Sequence, residues 1–440
     1  MQYIINGGKP LSGTIDVAGA KNVALKLIVA ALLLKGKSTL TNVPRIRDVV
    51  ALVDIINTLG GHAVFTDEHT LEVENTLTTH VVPLELAVRI RVSFLLMVPL
   101  LHTFRKAQVP NPGGCRLGAR PVDRLVESIT TFGGSISYSS EDGYYYAHVE
   151  EAFTPGEYTF AKPSHTGTEF ALMNMSRIQG KSVIHNAAHE PEIDELITFL
   201  NAAGAHIVRE GNDIVVEGND ALQGVEQRVG SDRNEVISFI VLSALCKGSI
   251  IINNVSLKPI QTFLDYCKRV GITYTESNGT FQLQVAKTIS SSDIVTAPHP
   301  GFMTDWQPLW AVLMTQAQGD STIHETVFEQ RFNYVQELNK HGAQIEFFDP
   351  TITDPSGTYQ FAVPPGTTPV NQAIRIHGPT QLHNAATVIT DMRAGACLLF
   401  AGLISSGKSV ISGAEQIERG YEDLIERLQK LGADVRSIEE

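Results

Sequence analysis

One phrase occurs six times along the chain, and it constrains the fold more than any other feature. It is a helix-like run that stops at a glycine and continues as an alternating strand. The copies read ALVDIINTLGGHAVF, RLVESITTFGGSISY, DELITFLNAAGAHIV, TFLDYCKRVGITYT, YVQELNKHGAQIEF and DLIERLQKLGADVRS. A glycine there ends the helix, because it takes the left-handed backbone conformation that a helix C-terminus needs. A second phrase precedes each copy, an apolar helix whose turn feeds a strand: LLLKGKSTLTNV, HTFRKAQVPNP, RIQGKSVIHNA, LCKGSIIINNV, QAQGDSTIHET and LISSGKSVISG. One unit is therefore helix, turn, strand, loop, helix, glycine, strand, repeating at about 70 residues as a supersecondary unit with two helices should.

A chain of 440 residues is too long for one ordinary core. Three units per domain would put the crossings near Ala20 and Gly230. The expected domains are residues 21–230 and residues 1–20 with 231–440, because the β-rich start Met1–Val17 and the last copy complete one body. The cleft between them is the expected site. A stretch rich in Pro, Gly and Thr, from Asp349 to Pro379, precedes the first helix of the last copy and reads as a surface loop. The alternative to a two-domain enzyme is a solenoid with no active site.

A formal charge of −13 disfavours a nucleic-acid wrapper or a basic membrane-surface protein, since either needs a cationic face. The start MQYIINGGKP has no basic segment followed by an apolar run, and Leu27–Leu34 and Phe94–Leu101 are too short to span a bilayer. A soluble cytoplasmic protein is expected. The four cysteines match neither a disulfide framework nor a zinc site; Cys246, Cys267 and Cys397 sit in apolar helical runs, whereas Cys115 follows two glycines and precedes Arg116. A partly exposed thiol beside cations can serve as acid or nucleophile, although an ordinary surface thiol has the same appearance.

The first helices of the six units open with AGAKNVAL, AVRIRVSF, SHTGTEFA, SDRNEVIS, GFMTDWQP and ITDMRAGA. Charged or hydroxyl residues therefore stand where free N–H groups and the positive end of the helix dipole also lie. If threefold packing turns these ends inward, Lys21, Arg91, Arg233 and Arg393 create a field that favours phosphate and carboxylate. Taken singly, each residue could also be a helix cap.

Seven motifs in order resemble the UDP-N-acetylglucosamine enolpyruvyl transferase family over essentially the whole chain. They are GAKN at Gly19–Asn22, PGGCRLGARPVD at Pro112–Asp123, NAAHEPEID at Asn186–Asp194, TAPHPGFMTD at Thr296–Asp305, ETVFEQRF at Glu325–Phe332, DMRAGA at Asp391–Ala396 and IERGYE at Ile417–Glu422. The resemblance implies an α/β fold of two inside-out domains, each of three units with helices inside and sheets outside. It implies transfer of an enolpyruvyl group from phosphoenolpyruvate to a UDP-sugar at the first committed step of peptidoglycan synthesis, with no cofactor or metal and as a monomer or weak homo-oligomer. Lys21, Asn22, Arg120, Arg393 and Arg419 would hold phosphoenolpyruvate. Cys115 would be general acid or covalent carrier, and the target of the epoxide fosfomycin. Asp305 would be the general base at the sugar hydroxyl. Catalysis would rest on Cys115, Asp305, Lys21 and Arg393. The nucleotide would be held by Asn22, Arg91, Arg120, Pro121, Val122, Asp123, Arg124, Lys162, Ser164, His165, Asp305 and Val327.

Two places depart from the family pattern. Arg124-Leu125 stands where Leu-His is usual, and SHTGTE at Ser164–Glu169 replaces Ser-Val-Gly-Ala-Thr, which brings His165 and Thr166 to the nucleotide end. An acceptor such as uridine monophosphate and a catalytically silent sugar-nucleotide sensor therefore stay open. Shikimate enzymes lack the PGGC loop, and the nucleotide-accepting His motif of RNA terminal-phosphate cyclase has no place here.

Overall fold

The computed structural model describes residues 1–113, 122–246 and 248–439. The chain forms two compact units: Gly19–Gly114 with Arg120–Gly230, and Met1–Ala18 with Ser231–Glu440. Each has a hydrophobic core of its own.

Two kinds of helix build each unit, and the sequence separates them. Inner helices are buried on all sides beyond their ends: in Arg233–Leu245 every residue from Arg233 to Ser243 is buried, and in Gln307–Met314 every residue is. Lys21–Ala31, His165–Met175 and Met392–Ile404 are of the same kind. Outer helices are amphipathic; Arg47–Thr58 buries Val49, Leu52, Val53, Ile55 and Ile56 and exposes the opposite side. Helices therefore lie inside and sheets outside.

The described residues form six sheets, five four-stranded and one three-stranded. In the first repeat, Lys37–Thr41 leaves the inner helix and pairs antiparallel with Leu71–Glu74, Ser38 opposite Val73; Leu71–Glu74 in turn pairs with His62–Phe65. The far strand, Glu226–Arg228, adds in parallel from elsewhere in the unit. The same order recurs around Gly180–His185, Ile250–Asn253, Gly319–His324 and Gly407–Ser412. In the last of these sheets the middle strand is the chain's own start, Gln2–Gly7, with Ile4 between Val410 and Arg436, so both chain ends close one repeat.

The six repeat glycines, Gly60, Gly133, Gly204, Gly271, Gly342 and Gly432, all have φ between +82° and +110°, the left-handed cap that the repeat phrase implies. A side-chain device accompanies them. The amide of Asn57 both donates to and accepts from the backbone of Ala63, and Asn201 with Ile207 and Asn339 with Ile345 do the same. Each bracket pins the strand after the glycine to the helix before it.

One expectation fails. The stretch Asp349–Pro379 is not all loop and does not introduce the last repeat: Ala373–Gly378 is a strand of the fifth repeat, between Gly319–His324 and Gln344–Phe348. The run AIRIHG alternates and buries Ile374 and Ile376, a signal hidden by the Pro, Gly and Thr around it. Pro355–Thr358 adds one short helical turn. Among the described residues, no helix is long and apolar enough to cross a membrane.

Candidate active site

In the unit built around Ser231–Glu440, the starts of three inner helices lie together. Trp306 Nε1 donates to Asn234 Oδ1 at 3.0 Å, tying the turn Thr304–Trp306 to the first turn of Arg233–Leu245. Asp232 and Asp391 cap Arg233–Leu245 and Met392–Ile404, each accepting from two backbone N–H groups. The caps place Arg233 and Arg393 in the first turn, and both side chains are buried.

Arg393 is held from beneath. Its Nη1 donates to the Tyr421 hydroxyl at 2.8 Å, and Tyr421 lies 2.6 Å from Ser238 Oγ. Ser238 gives its own proton to the Asn234 carbonyl, so the Tyr421 hydroxyl is the donor to Ser238 and is left to accept from Arg393. Burial works against the guanidinium charge, but Tyr421, Asp305 and Asp232 outweigh it and hold the Arg393 pKa above its ordinary value.

Asp305 meets Arg331, Oδ1 to Nη2 at 2.8 Å, and the guanidinium is almost wholly buried while the carboxylate is 28% exposed. Burial opposes the charge of Arg331, yet Asp305, Asp391 and Glu325 together raise its pKa. Among the described residues, Nε and Nη1 of Arg331 and Nε of Arg393 find no hydrogen-bond acceptor. Such donors, buried beside carboxylates and helix N-termini, suit an anionic ligand. Glu325, itself fully buried, accepts from Thr304 Oγ1 at 2.8 Å and from the N–H groups of Val327 and Phe328 at 2.8 and 3.1 Å. It thereby fixes both the turn before Asp305 and the backbone of Val327. Arg419 ends the turn Ala414–Arg419 in the same unit and reaches Gln416 at 3.4 Å.

In the other unit, Lys21 opens its inner helix with Nζ 2.6 Å from Asp48 Oδ2, and half-buried Asn22 follows it. Ser164 caps His165–Met175 by accepting from the Gly167 N–H. The His165 ring turns toward carboxylates, with Nε2 3.0 Å from Glu169 Oε1 and 3.9 Å from Glu192 Oε2. Lys26 reaches the other oxygen of Glu169 at 3.2 Å, and Glu169 is fully buried. Burial lowers the His165 pKa, but Glu169 and Glu190 outweigh both burial and Lys26, so the net shift is upward.

The remaining expected residues of this unit are less enclosed. Arg91 and Lys162 are half-buried, Val122 is buried, and Asp123 is exposed at the start of Asp123–Thr131. Arg124 is half-buried, its carbonyl accepting from Tyr158 at 3.2 Å, and Leu125 belongs to the core. Gly113, two residues before Cys115, packs on the Val88 backbone carbonyl so closely that a Cβ would collide with it. Cys115, Arg120 and Pro121 lie outside the described residues. Burial pushes the thiols of Cys246, Cys267 and Cys397 upward, away from the reactive thiolate.

Sequence reasoning missed Asp48, Glu169, Glu325, Arg331 and Tyr421. Lys26 carried a readable signal, because a lysine inside the apolar run VALKLIVAALLL needs a buried counter-charge. The partners of Asp305 and Arg393 are distant in sequence: Arg331 and Tyr421 stand inside the motifs ETVFEQRF and IERGYE, but nothing local assigns them to those two residues. Among the described residues, no group of three or more His, Cys, Asp or Glu could hold a metal ion.

Residues 5–428 match the family model described as EPSP synthase (3-phosphoshikimate 1-carboxyvinyltransferase). The chain is 34% identical to the UDP-N-acetylglucosamine 1-carboxyvinyltransferase of Endomicrobium trichonymphae, over 99% of each chain. It is 35% identical to the enzyme of that name from Bartonella tribocorum, over 99% of this chain and 98% of the relative. Among solved structures, the enolpyruvyl transferase NikO from Streptomyces tendae aligns with TM-score 0.86 at 23% identity, over 99% of this chain and 98% of NikO. An EPSP synthase from Acinetobacter baumannii aligns with TM-score 0.73 at 17% identity, over 99% of both chains. At those identities the two structures speak for the inside-out fold alone.

Proposed function

This chain belongs to the EPSP synthase (3-phosphoshikimate 1-carboxyvinyltransferase) family of enolpyruvyl transferases, and from that premise we propose that it moves the enolpyruvyl group of phosphoenolpyruvate onto a hydroxyl of UDP-N-acetylglucosamine and releases inorganic phosphate. The observation that carries the choice of acceptor is the end-to-end similarity, at 34% and 35% identity, to relatives named for that substrate. The reaction is a committed step of peptidoglycan synthesis.

The chemistry divides the labour. The methylene carbon of phosphoenolpyruvate must gain a proton while the sugar hydroxyl, losing its own, adds to the neighbouring carbon. Loss of phosphate and of a proton from the new methyl group then restores the enol ether. Asp305 takes the hydroxyl proton, and Cys115 delivers one to the methylene carbon. Lys21, Arg120, Arg393 and Arg419 hold the phosphate and carboxylate, a task for which guanidinium forks are well shaped. The unmet Nε donor of buried Arg393 supports that role. Asn22, Arg91, Arg120, Pro121, Val122, Asp123, Arg124, Lys162, Ser164, His165, Asp305 and Val327 hold the nucleotide. The protein works in the cytoplasm as a monomer or weak homo-oligomer, without nucleic acid or membrane as partner; a charge of −13 gives neither an electrostatic attraction.

The test is phosphate release from phosphoenolpyruvate with a panel of uridine nucleotides. UDP-N-acetylglucosamine should be the best acceptor; uridine monophosphate as the best acceptor would overturn the assignment. Cys115→Asp, which keeps a proton donor, should retain turnover and resist alkylation by fosfomycin, whereas Cys115→Ser should be nearly inactive.

A further inference from the structure

Of the three inner helices in the unit around Ser231–Glu440, Arg233–Leu245 packs against both of the others, Gln307–Met314 and Met392–Ile404. Two of its buried polar residues carry site groups of those neighbours. Asn234 Oδ1 accepts from Trp306 Nε1 at 3.0 Å, at the turn that holds Asp305, and Ser238 Oγ lies 2.6 Å from the Tyr421 hydroxyl that supports Arg393. Four residues apart, the two share one helix face. They are also joined, since Ser238 Oγ donates to the Asn234 carbonyl at 2.8 Å.

We propose that Asn234 is a positioning residue for Asp305, acting through the indole of Trp306 to fix where that carboxylate stands relative to Arg393; this rests on the transferase reading above. Asp305 is the middle residue of the single turn Thr304–Trp306, and both of its neighbours are anchored. Thr304 is tied to Glu325 at 2.8 Å and Trp306 to Asn234, so the backbone on either side of Asp305 is pinned. The anchors are enclosed, with Trp306 1% and Asn234 4% exposed. Asn234 is itself fixed, because its N–H donates to Asp232 Oδ1 at 2.8 Å. An indole has one polar atom and it only donates, so the Asn234 amide must turn its oxygen to it. The rest of the ring meets Phe263 and Phe302 edge-on, with centroids 5.8 and 5.6 Å away. Such apolar burial is not directional, whereas the Trp306–Asn234 hydrogen bond admits one placement of the ring. A buried pair of this kind returns little net stability over an apolar pair of the same shape. What it adds is direction. Neither residue exchanges a proton with substrate; both act only on the place of Asp305.

The experiment separates position from stability by measuring kcat, KM and denaturant unfolding for Asn234→Leu, Trp306→Phe and the double variant, each also in an Asp305→Asn background. Asn234→Leu leaves the buried indole N–H unmet and should lose both stability and turnover. The double variant has no unmet group at this point and should regain stability over Asn234→Leu, yet its kcat should stay roughly 10- to 10²-fold below wild type, the cost of a misplaced catalytic group. KM for phosphoenolpyruvate and for UDP-N-acetylglucosamine should stay within about 3-fold of wild type, because the binding groups are not moved. In the Asp305→Asn background the same double change should cost less than about 3-fold in kcat, since the residue it positions no longer acts as a base. If the double variant fails to fold, Trp306→Phe with and without Asp305→Asn decides by the same criterion. A kcat that recovers together with stability, or equal losses in the two backgrounds, would reduce Asn234 and Trp306 to packing and leave the transferase reading intact. A wild-type protein that releases no phosphate would overturn the transferase reading, and the role of Asn234 with it.

Discussion

The two units share one architecture and fill its equivalent positions with different chemistry. In the unit around Gly19–Gly230, the paired inner-helix starts carry Lys21 and His165, each facing a carboxylate. In the unit around Ser231–Glu440 one such start carries a carboxylate, Asp305, and the other a guanidinium, Arg393, which leans on a hydroxyl rather than on a charge. The repeat thus supplies a place, a helix N-terminus backed by a later segment, and the residue chosen for it decides whether that place carries a cation or a carboxylate. Arg393 makes its direct hydrogen bond to a hydroxyl, with Asp305 and Asp232 acting on it through their charge, whereas Lys21 pairs directly with the Asp48 carboxylate.

The comparison breaks most sharply at Asp305. Asp305→Asn should lower kcat by roughly 10²- to 10⁴-fold with nucleotide affinity nearly unchanged, the effect of losing a positioned base. Equal losses in binding and turnover would make Asp305 another binding group and erase the contrast between the units.

Tyr421→Phe comes next. It removes the acceptor under Arg393 and the donor to Ser238 at a fully buried site, and should cost about 1–3 kcal/mol of stability in denaturant unfolding. Because the guanidinium loses its brace, KM for phosphoenolpyruvate should rise more than kcat falls. A KM equal to wild type would show that Tyr421 serves packing alone.

How much of this was readable beforehand follows from the range of the forces involved. Helix, glycine and strand are local, so the repeat stood in the sequence and all six glycines carry the backbone that it implies. Inner helices were readable as apolar runs, and Lys21, Arg393 and Asp305 as first-turn groups. Arg331, Tyr421 and Glu325 lie in quoted motifs, but their contacts were not readable, because each acts on a residue a strand or more away that no local periodicity points to. The strand Ala373–Gly378 was lost for a different reason, a short alternating run averaged into a Pro- and Gly-rich neighbourhood.

A smaller effect tests whether the repeats are equivalent in stability as well as in shape. Asn201→Ala and Asn339→Ala remove the same bracket, one from each unit, and each should cost about 1–2 kcal/mol. A large cost in one unit and none in the other would mean that the units do not use the bracket alike.

The smallest expected effect concerns His165. Its folded pKa lies above the ordinary histidine value because Glu169 and Glu190 outweigh burial. The stabilisation is therefore fully present below the unfolded pKa of about 6.5 and fades as pH rises through the higher folded value. Thermal unfolding should show wild type losing a few degrees at most relative to His165→Val between mild acid and alkaline pH. A difference that grows with pH would reverse the sign and remove His165 from the charge cluster. Affinity for UDP-N-acetylglucosamine over the same range shows whether that cluster also reaches the nucleotide, and a flat profile would confine it to stability.

The central claim is group transfer, and the most direct measurement is the mass of the nucleotide after incubation with phosphoenolpyruvate, taken with the phosphate released. UDP-N-acetylglucosamine should carry one carboxyvinyl group in place of a hydroxyl hydrogen, with one phosphate for each nucleotide converted. Phosphate released while the nucleotide stays unchanged, or no phosphate with any uridine nucleotide, would contradict it.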